Sequence, residues 1–376
     1  MVAIEAGGRG PDIMSLVSVL VPAHNAAATI AETLASALAQ THQDLEVIVV
    51  DDGSTDDTAE IVSGIAGREV RIILVRQANG GVAKARNTAL ARARGSYIAP
   101  LDADDLWHPD KLAHQLRRMS VAGSGVGVVY CWSVDIDTTS TIIDQRLDLD
   151  RFEGDVYAAM VLSNFIGNAS VPLIRRPAID AIGGWDIGLR ERDAQGCEDW
   201  LAYLRLAEIT DYVLEPTFLV GYRQGPAAMS RNIISMERSH RLVLAEAKSR
   251  HPELPAKLFR WSAGAFDIYA FEILKGLRSK SARLPWLLCG ILRDPQWLFR
   301  HSTHRKFHFW MRRLFAPTMP VKARTHPIGC SFSTLNPHVT ADVSEGSPIA
   351  ARRSYVGKLR IQRPQLDVAT HGKLDA

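Results

Sequence analysis

The sequence lacks several features that would place a chain in a common class. Its four cysteines are widely separated and include no CxxC pair. This spacing argues against a zinc knuckle or a disulfide framework, and it fits a reducing compartment. The formal net charge of +3 over 376 residues is too small to indicate a nucleic-acid partner.

Long apolar runs are also missing. The best candidate, Leu284 to Leu292, has roughly half of the ~20 residues that a membrane-spanning helix needs. The glycine-rich start, Met1 to Met14, has no apolar core of the kind found in signal peptides. We therefore expect a protein that is made and kept in the cytoplasm.

Neither of the two common phosphate-binding loops follows the first predicted strand. No glycine occurs between Ser15 and Gly53, so the patterns GxGxxG and GxxxxGK[ST] are both absent there. A bound phosphate would instead be neutralised by a metal held on carboxylates and by a cation such as Arg86 or Lys84.

What the chain does contain is a regular alternation of strands and helices. Short apolar runs at 16–21, 45–50 and 70–75 alternate with amphipathic segments, and a fourth run reaches Asp102. This pattern predicts an α/β fold with a mostly parallel sheet, flanking helices and right-handed crossovers. From Met236 onward the pattern predicts long helices, which form a C-terminal helical extension.

Acidic residues follow two of these apolar runs. Asp51-Asp52 ends the second run, and Asp102, Asp104 and Asp105 follow the fourth. Ligands of open α/β sheets bind at the carboxyl ends of strands, and clustered carboxylates repel unless a cation lies between them. A divalent cation completed by substrate phosphates suits this arrangement. The structural alternatives are a solvated loop and a helix-capping turn.

These stretches, taken in order, resemble the successive blocks of the family 2 glycosyltransferases of GT-A fold. The resemblance covers about residues 16–235. The blocks are Val19–Asn25, Val49–Asp56, Asn79–Asn87, Leu101–Asp105, Gly183–Asp186 and Glu198–Trp200.

The resemblance implies that one sugar moves from a nucleotide-diphosphate sugar to an acceptor hydroxyl, with inversion at the anomeric carbon. Asp104 and Asp102 would form a DxD motif holding Mn²⁺ or Mg²⁺. Asp199 would be the general base, with the adjacent Glu198 as its rival. The residues that the resemblance places at the nucleotide sugar are Pro22, His24, Asp51, Asp52, Arg86, Asp102 and Asp104.

Some roles remain open between a functional and a structural interpretation. Trp185 and Trp200 are candidates for the acceptor site, and equally for the core. The QxxRW motif of processive synthases is absent, and Tyr222-Arg223-Gln224 stands roughly where it might be expected. Two other functions compete with sugar transfer: nucleotidyl transfer, which needs a glycine-rich basic loop after the first strand, and an inactive module that binds nucleotide or carbohydrate.

The chain divides into four predicted parts. These are a flexible tail (1–14), a GT-A domain (15–235, with a nucleotide-binding half to 125 and an acceptor half from 126), a helical extension (236–325) and a tail without structure (326–376). Within the extension, Leu284 to Arg313 interleaves aromatic with basic residues, as interfacial segments on anionic membranes do. The alternative is a subdomain packing its own core. We expect a sugar or lipid-linked sugar acceptor and a role in bacterial surface polysaccharide or glycolipid assembly.

Overall fold

The computed structural model describes residues 16–144, 151–225, 229–275, 280–295 and 329–335, together with 355–356, 358–361 and 363. The predicted flexible tail and the segment 296–325 lie outside the described residues. Among the described helices, none combines the length and the hydropathy needed to cross a membrane.

One mixed sheet forms the centre of the fold. Its order is β3-β2-β1-β4-β8-β6-β9-β5, with β7 paired to β6. The strands are β1 (Val17–Ala23), β2 (Leu45–Asp52), β3 (Ile72–Gln77), β4 (Tyr97–Pro100), β5 (Leu106–Trp107), β6 (Val126–Ile136), β7 (Ile142–Asp144), β8 (Leu173–Arg175) and β9 (Asp211–Arg223).

The first four strands are parallel to one another, whereas β8 is antiparallel to both β4 and β6. Because two reversals cancel, β6 and its parallel partner β9 point the same way as β1. The carboxyl ends of β1, β2, β3, β4, β6 and β9 therefore lie at one edge of the sheet, whereas β8 ends at the opposite edge. This arrangement confirms the predicted α/β class with a mostly parallel, mixed sheet.

Helices cover the sheet and form the extension. They are α1 (Ile30–Leu38), α2 (Thr58–Ala66), α3 (Val82–Leu90), α4 (Lys111–Val121), α5 (Tyr157–Leu162), α6 (Arg176–Ala181), α7 (Gly188–Glu191), α8 (Glu198–Ile209), α9 (Ile233–Arg250), α10 (Ala256–Lys275) and α11 (Lys280–Arg293).

Burial follows the apolar pattern of the sequence closely in the first half. Every residue of β1 and β2 is buried, as expected for central strands covered on both faces. In α1 the buried residues include Ile30, Leu34 and Ala37, one stripe at helical spacing. Asn25 lies five residues before the start of this helix. It adopts a left-handed conformation (φ 51°), and its side chain accepts a hydrogen bond from Thr55 N over 2.8 Å.

The extension is not separated from the sheet domain at residue 235. That boundary falls inside α9, and Ser235 Oγ exchanges hydrogen bonds with the backbone of Gln195, in the loop before α8. Ser239 Oγ also accepts from Cys197 N over 3.2 Å. Helix α9 thus holds the chain that leads into α8.

The prediction of an unstructured tail from His326 does not hold where the structure describes this segment. Phe332 is buried and packs on Gly221, and Ser331 bridges to Thr141. Val356 and Ile361 are buried as well, and Arg363 pairs with Asp211. Burial of these apolar side chains offsets the entropy of ordering them. The rest of this tail lies outside the described residues.

Candidate active site

The predicted site residues gather at the carboxyl edge of the sheet. His24 follows β1, Asp51 and Asp52 end β2, and Asp102 and Asp104 follow β4. Because these strands are parallel, a polar cleft at this edge was expected from their order alone.

Asp52 shapes a loop and is not an open acceptor. Its carboxylate is 3% exposed and accepts hydrogen bonds from Gln77 Nε2, Gly80 N and Gly81 N, each over 2.7 Å. These bonds hold the turn at 79–81, where Gly81 adopts a left-handed conformation (φ 86°). These bonds within the chain therefore use most of the hydrogen-bonding capacity of the Asp52 carboxylate. That carboxylate was predicted to hold the nucleotide base.

The other residues predicted to contact the nucleotide base lie around Asp52. Pro22 is buried in β1, whereas His24 is exposed. The ring Nδ1 of His24 lies 3.0 Å from the backbone oxygen of Asp52 and 3.2 Å from Asn79 Nδ2. Asp51 is buried and accepts from Ser54 N over 3.2 Å. His24 is therefore the most accessible of the predicted base contacts.

The three acids after β4 have different environments. Asp105 is fully buried, and its carboxylate accepts hydrogen bonds from Ser170 Oγ and from Arg223 N. Burial and the neighbouring acids raise the pKa of Asp105 well above its usual range. Asp105 therefore anchors the loop, which leaves Asp102 and Asp104 for a ligand.

The surroundings of Asp104 disfavour the negative charge of its carboxylate, and a bound cation would offset this effect. Burial, and then the charge of Asp102, raise its pKa to about 6. The donor set is two hard carboxylates, which fits Mg²⁺ or Mn²⁺. Among the described residues no group of three or more His, Cys, Asp or Glu side chains could enclose a metal. The remaining ligands would thus come from water and substrate phosphates, as is usual for Mg²⁺.

Arg86 lies between Asp102, a predicted metal ligand, and Asp199, the predicted base. Its side chain is 2% exposed; Nη2 donates to Asp102 Oδ1 over 2.6 Å, and Nη1 donates to Asp199 Oδ1. Its Nε is buried without a hydrogen-bond partner. The prediction put Arg86 beside a diphosphate, yet the structure shows its guanidinium occupied by two carboxylates. Both ion pairs raise the pKa of Arg86 against the effect of burial.

The two acids at the start of α8 are placed differently. Glu198 is 4% exposed, and its Oε2 accepts from Gly196 N over 2.8 Å. The carboxylate of Asp199 is 24% exposed and faces Arg86. Burial raises the pKa of Asp199 to about 7; Arg86 lowers it, while Asp102 and Glu198 add to the increase. Asp199 is the more accessible of the two acids.

Trp185 and Trp200 belong to the core, which corrects their prediction as acceptor platforms. They are 3% and 4% exposed. The side-chain amide of Asn87 donates a hydrogen bond to Trp185 O and accepts one from Trp185 N. Trp200 Nε1 donates to Met160 O over 2.7 Å. A sugar could not stack on rings that the protein already covers.

Arg223, predicted only to stand near the place of the absent QxxRW motif, holds the loop that carries Asp102 and Asp104. It is 3% exposed at the end of β9, and Nε donates to the backbone oxygen of Asp104 over 2.6 Å. Nη2 donates to Glu32 Oε2 over 2.8 Å. The sequence did contain a signal for this role, namely a charged residue near the end of an apolar strand.

The loop 188–196, between α6 and α8, contains the short helix α7. Arg190 Nη2 donates to Asn79 Oδ1 over 2.6 Å, which connects this loop to the turn after β3. A Cβ at Gly81 would collide with the Arg190 side chain. The loop therefore lies against the turn at 79–81, next to Asp52.

The mixed sheet and its flanking helices have the GT-A fold. Residues 18–178 match the family model "Glycosyl transferase family 2". This stretch therefore matches a family 2 glycosyltransferase domain, and the first four sequence blocks lie within it.

Curated relatives and a solved structure agree with this assignment. The chain is 27% identical over 239 residues to the chondroitin synthase of Pasteurella multocida (strain Pm70), covering 62% of this chain and 23% of that protein. It is 45% identical over 107 residues to the Escherichia coli UDP-Glc:alpha-D-GlcNAc-diphosphoundecaprenol beta-1,3-glucosyltransferase WfaP, covering 28% and 42%. It thus spans less than half of either relative. The structure of S. aureus TarS 1–349 aligns with a TM-score of 0.52 at 16% identity, covering 88% of this chain and 98% of that one, and shows a shared fold.

Proposed function

We propose that this chain is an inverting, metal-dependent glycosyltransferase that moves one sugar from a nucleotide-diphosphate sugar to an acceptor hydroxyl. The observation that carries the proposal is the joint contact of Arg86 with Asp102 and Asp199. Asp102 is one of the two acids suited to hold a metal and the donor, and Asp199 is the acid suited to be the base. Because both contact the same guanidinium, they lie next to each other in one site.

Asp199 acts as the general base in this proposal. Its partly exposed carboxylate takes the proton from the acceptor hydroxyl, and the oxygen attacks the anomeric carbon. The bond from that carbon to the diphosphate oxygen breaks in the same step, so the nucleoside diphosphate leaves with the bonding electrons. One displacement inverts the configuration. Glu198, which is buried and bonded to Gly196 N, supports the start of α8.

Asp104 and Asp102 would hold a divalent cation. When bound, Mg²⁺ or Mn²⁺ supplies positive charge that offsets the charge of the departing diphosphate. The chain contributes position: Arg223 holds the backbone of Asp104, and Ser170 holds Asp105 and the Asp102 N–H. His24, Asp51 and the Asp52-held turn at 79–81 would frame the nucleotide.

We assign the acceptor to a lipid-linked sugar at the inner face of the cytoplasmic membrane, in bacterial surface polysaccharide assembly. The E. coli relative is named for an acceptor carried on diphosphoundecaprenol. The loop 188–196, which lies against the turn at 79–81, would contact the acceptor.

The test is nucleoside diphosphate release from a panel of UDP- and GDP-sugars, with a polyprenyl-diphosphate-linked sugar as acceptor. The reaction is run with Mn²⁺, with Mg²⁺ and with chelator. We expect turnover with one donor, lost with chelator, in Asp104→Asn and in Asp199→Asn, and retained in the exposed control Asp57→Asn. Release of pyrophosphate instead would indicate nucleotidyl transfer. Nucleotide binding without any turnover would indicate an inactive module.

A further inference from the structure

Helix α11 presents an apolar stripe to the outside of the molecule. Leu284, Leu288 and Leu292 follow one another at four-residue spacing, which places them on one face of the helix. Their exposed fractions are 53%, 53% and 79%. Cys289, beside this stripe, is exposed as well. An ordered row of exposed leucines is costly in water and usually marks a contact surface.

The opposite face of α11 is packed, so the direction of the stripe is fixed. Gly290 lies so close to α10 that a Cβ there would collide with Ile268. The ring of Trp286 lies 6.2 Å from that of Phe266, and Arg293 pairs with Asp267 over 2.8 Å. Helix α11 is therefore docked on α10, and the leucine stripe is the face that points away from α10.

A row of aromatic rings connects α11 to the helix that carries Asp199. Ring centroids are 4.9 Å apart between Trp200 and His240, and 4.6 Å between His240 and Phe266. Burial lowers the pKa of His240 to about 3, so the ring is neutral in this apolar row. A surface that holds α11 would consequently set the orientation of α8 and of the cleft.

The sequence that continues directly from α11 is basic, which favours an anionic occupant. From Arg293 to Arg324 the sequence contains eight Lys and Arg residues and one acid, Asp294, which is buried. The same stretch includes Trp297, Phe299 and Trp310, although residues 296–324 lie outside the described part of the structure. Basic residues beside apolar and aromatic ones suit a bilayer with anionic headgroups.

The size of the stripe argues against a second copy of the chain as occupant. Helix α11 has 14 residues. A helix of that length is about 21 Å long and about 10 Å wide, so one face offers about 200 Å². A stable dimer buries about 800 Å² per partner.

We propose that the leucine stripe of α11 lies on the surface of an anionic membrane. The stripe anchors the protein with its cleft in a fixed orientation toward lipid-linked acceptors. This inference rests on the proposed function in one respect: orientation toward lipid-linked acceptors matters only if the chain transfers sugar to them. The binding itself is separate from sugar transfer and is measured without it.

The test is flotation of the full chain with vesicles of phosphatidylglycerol and phosphatidylethanolamine, compared with vesicles of phosphatidylcholine. We expect binding to the anionic vesicles, and a fall in bound fraction of about tenfold when Leu284, Leu288 and Leu292 are replaced by Gln together. The matched control is Val121→Gln, at a position 71% exposed on α4. Turnover of a water-soluble acceptor should be unchanged in both variants, which also shows that they are folded.

A second measurement locates the contact. An environment-sensitive dye on Cys289, in a Cys330→Ser background, should shift its emission to shorter wavelength on anionic vesicles; the other two cysteines are buried. No shift, or equal flotation of the triple variant and wild type, would overturn the proposal. So would a wild-type dimer that the triple variant dissociates. Vesicle binding without turnover of any donor would overturn the proposed function and leave this inference standing.

Discussion

Arg86 Nη2 lies 2.6 Å from Asp102 Oδ1 while Nη1 of the same guanidinium contacts Asp199, so one buried side chain orients both acids. A planar guanidinium can make two such contacts at once, whereas a lysine ammonium is a single point charge. The geometry of the cleft therefore depends on Arg86 even though it need not touch either substrate.

We expect Arg86→Lys to lower turnover about a hundredfold, because displacement of the base by about 1 Å costs that much. Nucleotide affinity, measured by calorimetry, should change less than turnover. The control is Arg92→Lys, at an exposed position just after α3. Equal turnover in the two variants would contradict the role assigned to Arg86.

The pH dependence of the reaction should follow Asp199. Since burial raises its pKa to about 7, the carboxylate becomes a competent base only as the pH rises through that value. We expect kcat/KM for the acceptor to increase through pH 7 and then level off. A profile that is already flat at pH 5 would exclude Asp199 as the titrating base.

The same group affects stability with the opposite sign. Between pH 3.8, the ordinary value for aspartate, and about 7, the folded protein keeps a proton that the unfolded chain has lost. The contribution of Asp199 to the free energy of unfolding therefore falls as the pH rises across this window. Denaturant titrations of wild type and Asp199→Asn should converge below the window and diverge above it, with the variant more stable.

Trp200→Phe should behave as a core substitution. It removes the hydrogen bond to Met160 O and part of the contact with His240, which should lower the free energy of unfolding by about 1–3 kcal/mol. The KM for the acceptor should not change, because the ring is buried. A raised KM at unchanged stability would restore Trp200 to the acceptor site.

Arg223→Lys should weaken the metal site. Loss of the bond from Nε to Asp104 O loosens the loop that carries both candidate ligands, and supporting residues of this kind are worth about tenfold or more in metal affinity. Titration of the nucleotide complex with Mn²⁺ measures the effect. Arg238→Lys, at an exposed position on α9, is the control, and an equal affinity in both variants would contradict the prediction.

The sequence was sufficient wherever a function depends on residues next to each other at the end of a strand. Asp102 and Asp104 could be placed because parallel strands end at one edge. The sequence could not show which of the neighbouring acids is buried, because the burial of Asp105 depends on Ser170 and Arg223, which are 65 and 118 residues away. Trp200 was ambiguous for a similar reason: both sides of α8 are covered, one of them by a helix beyond residue 232.

The long strand β9 determines how this molecule can be divided. It pairs with β6 along its length and with β5 near its end, and its last residue, Arg223, bonds to the backbone of Asp104. A fragment that stops at residue 125 would keep both DxD acids but lose the strand and the arginine that shape them. A chimera between relatives that is joined before Arg223 therefore pairs strands from two parents, unless β5, β6 and β9 come from the same one.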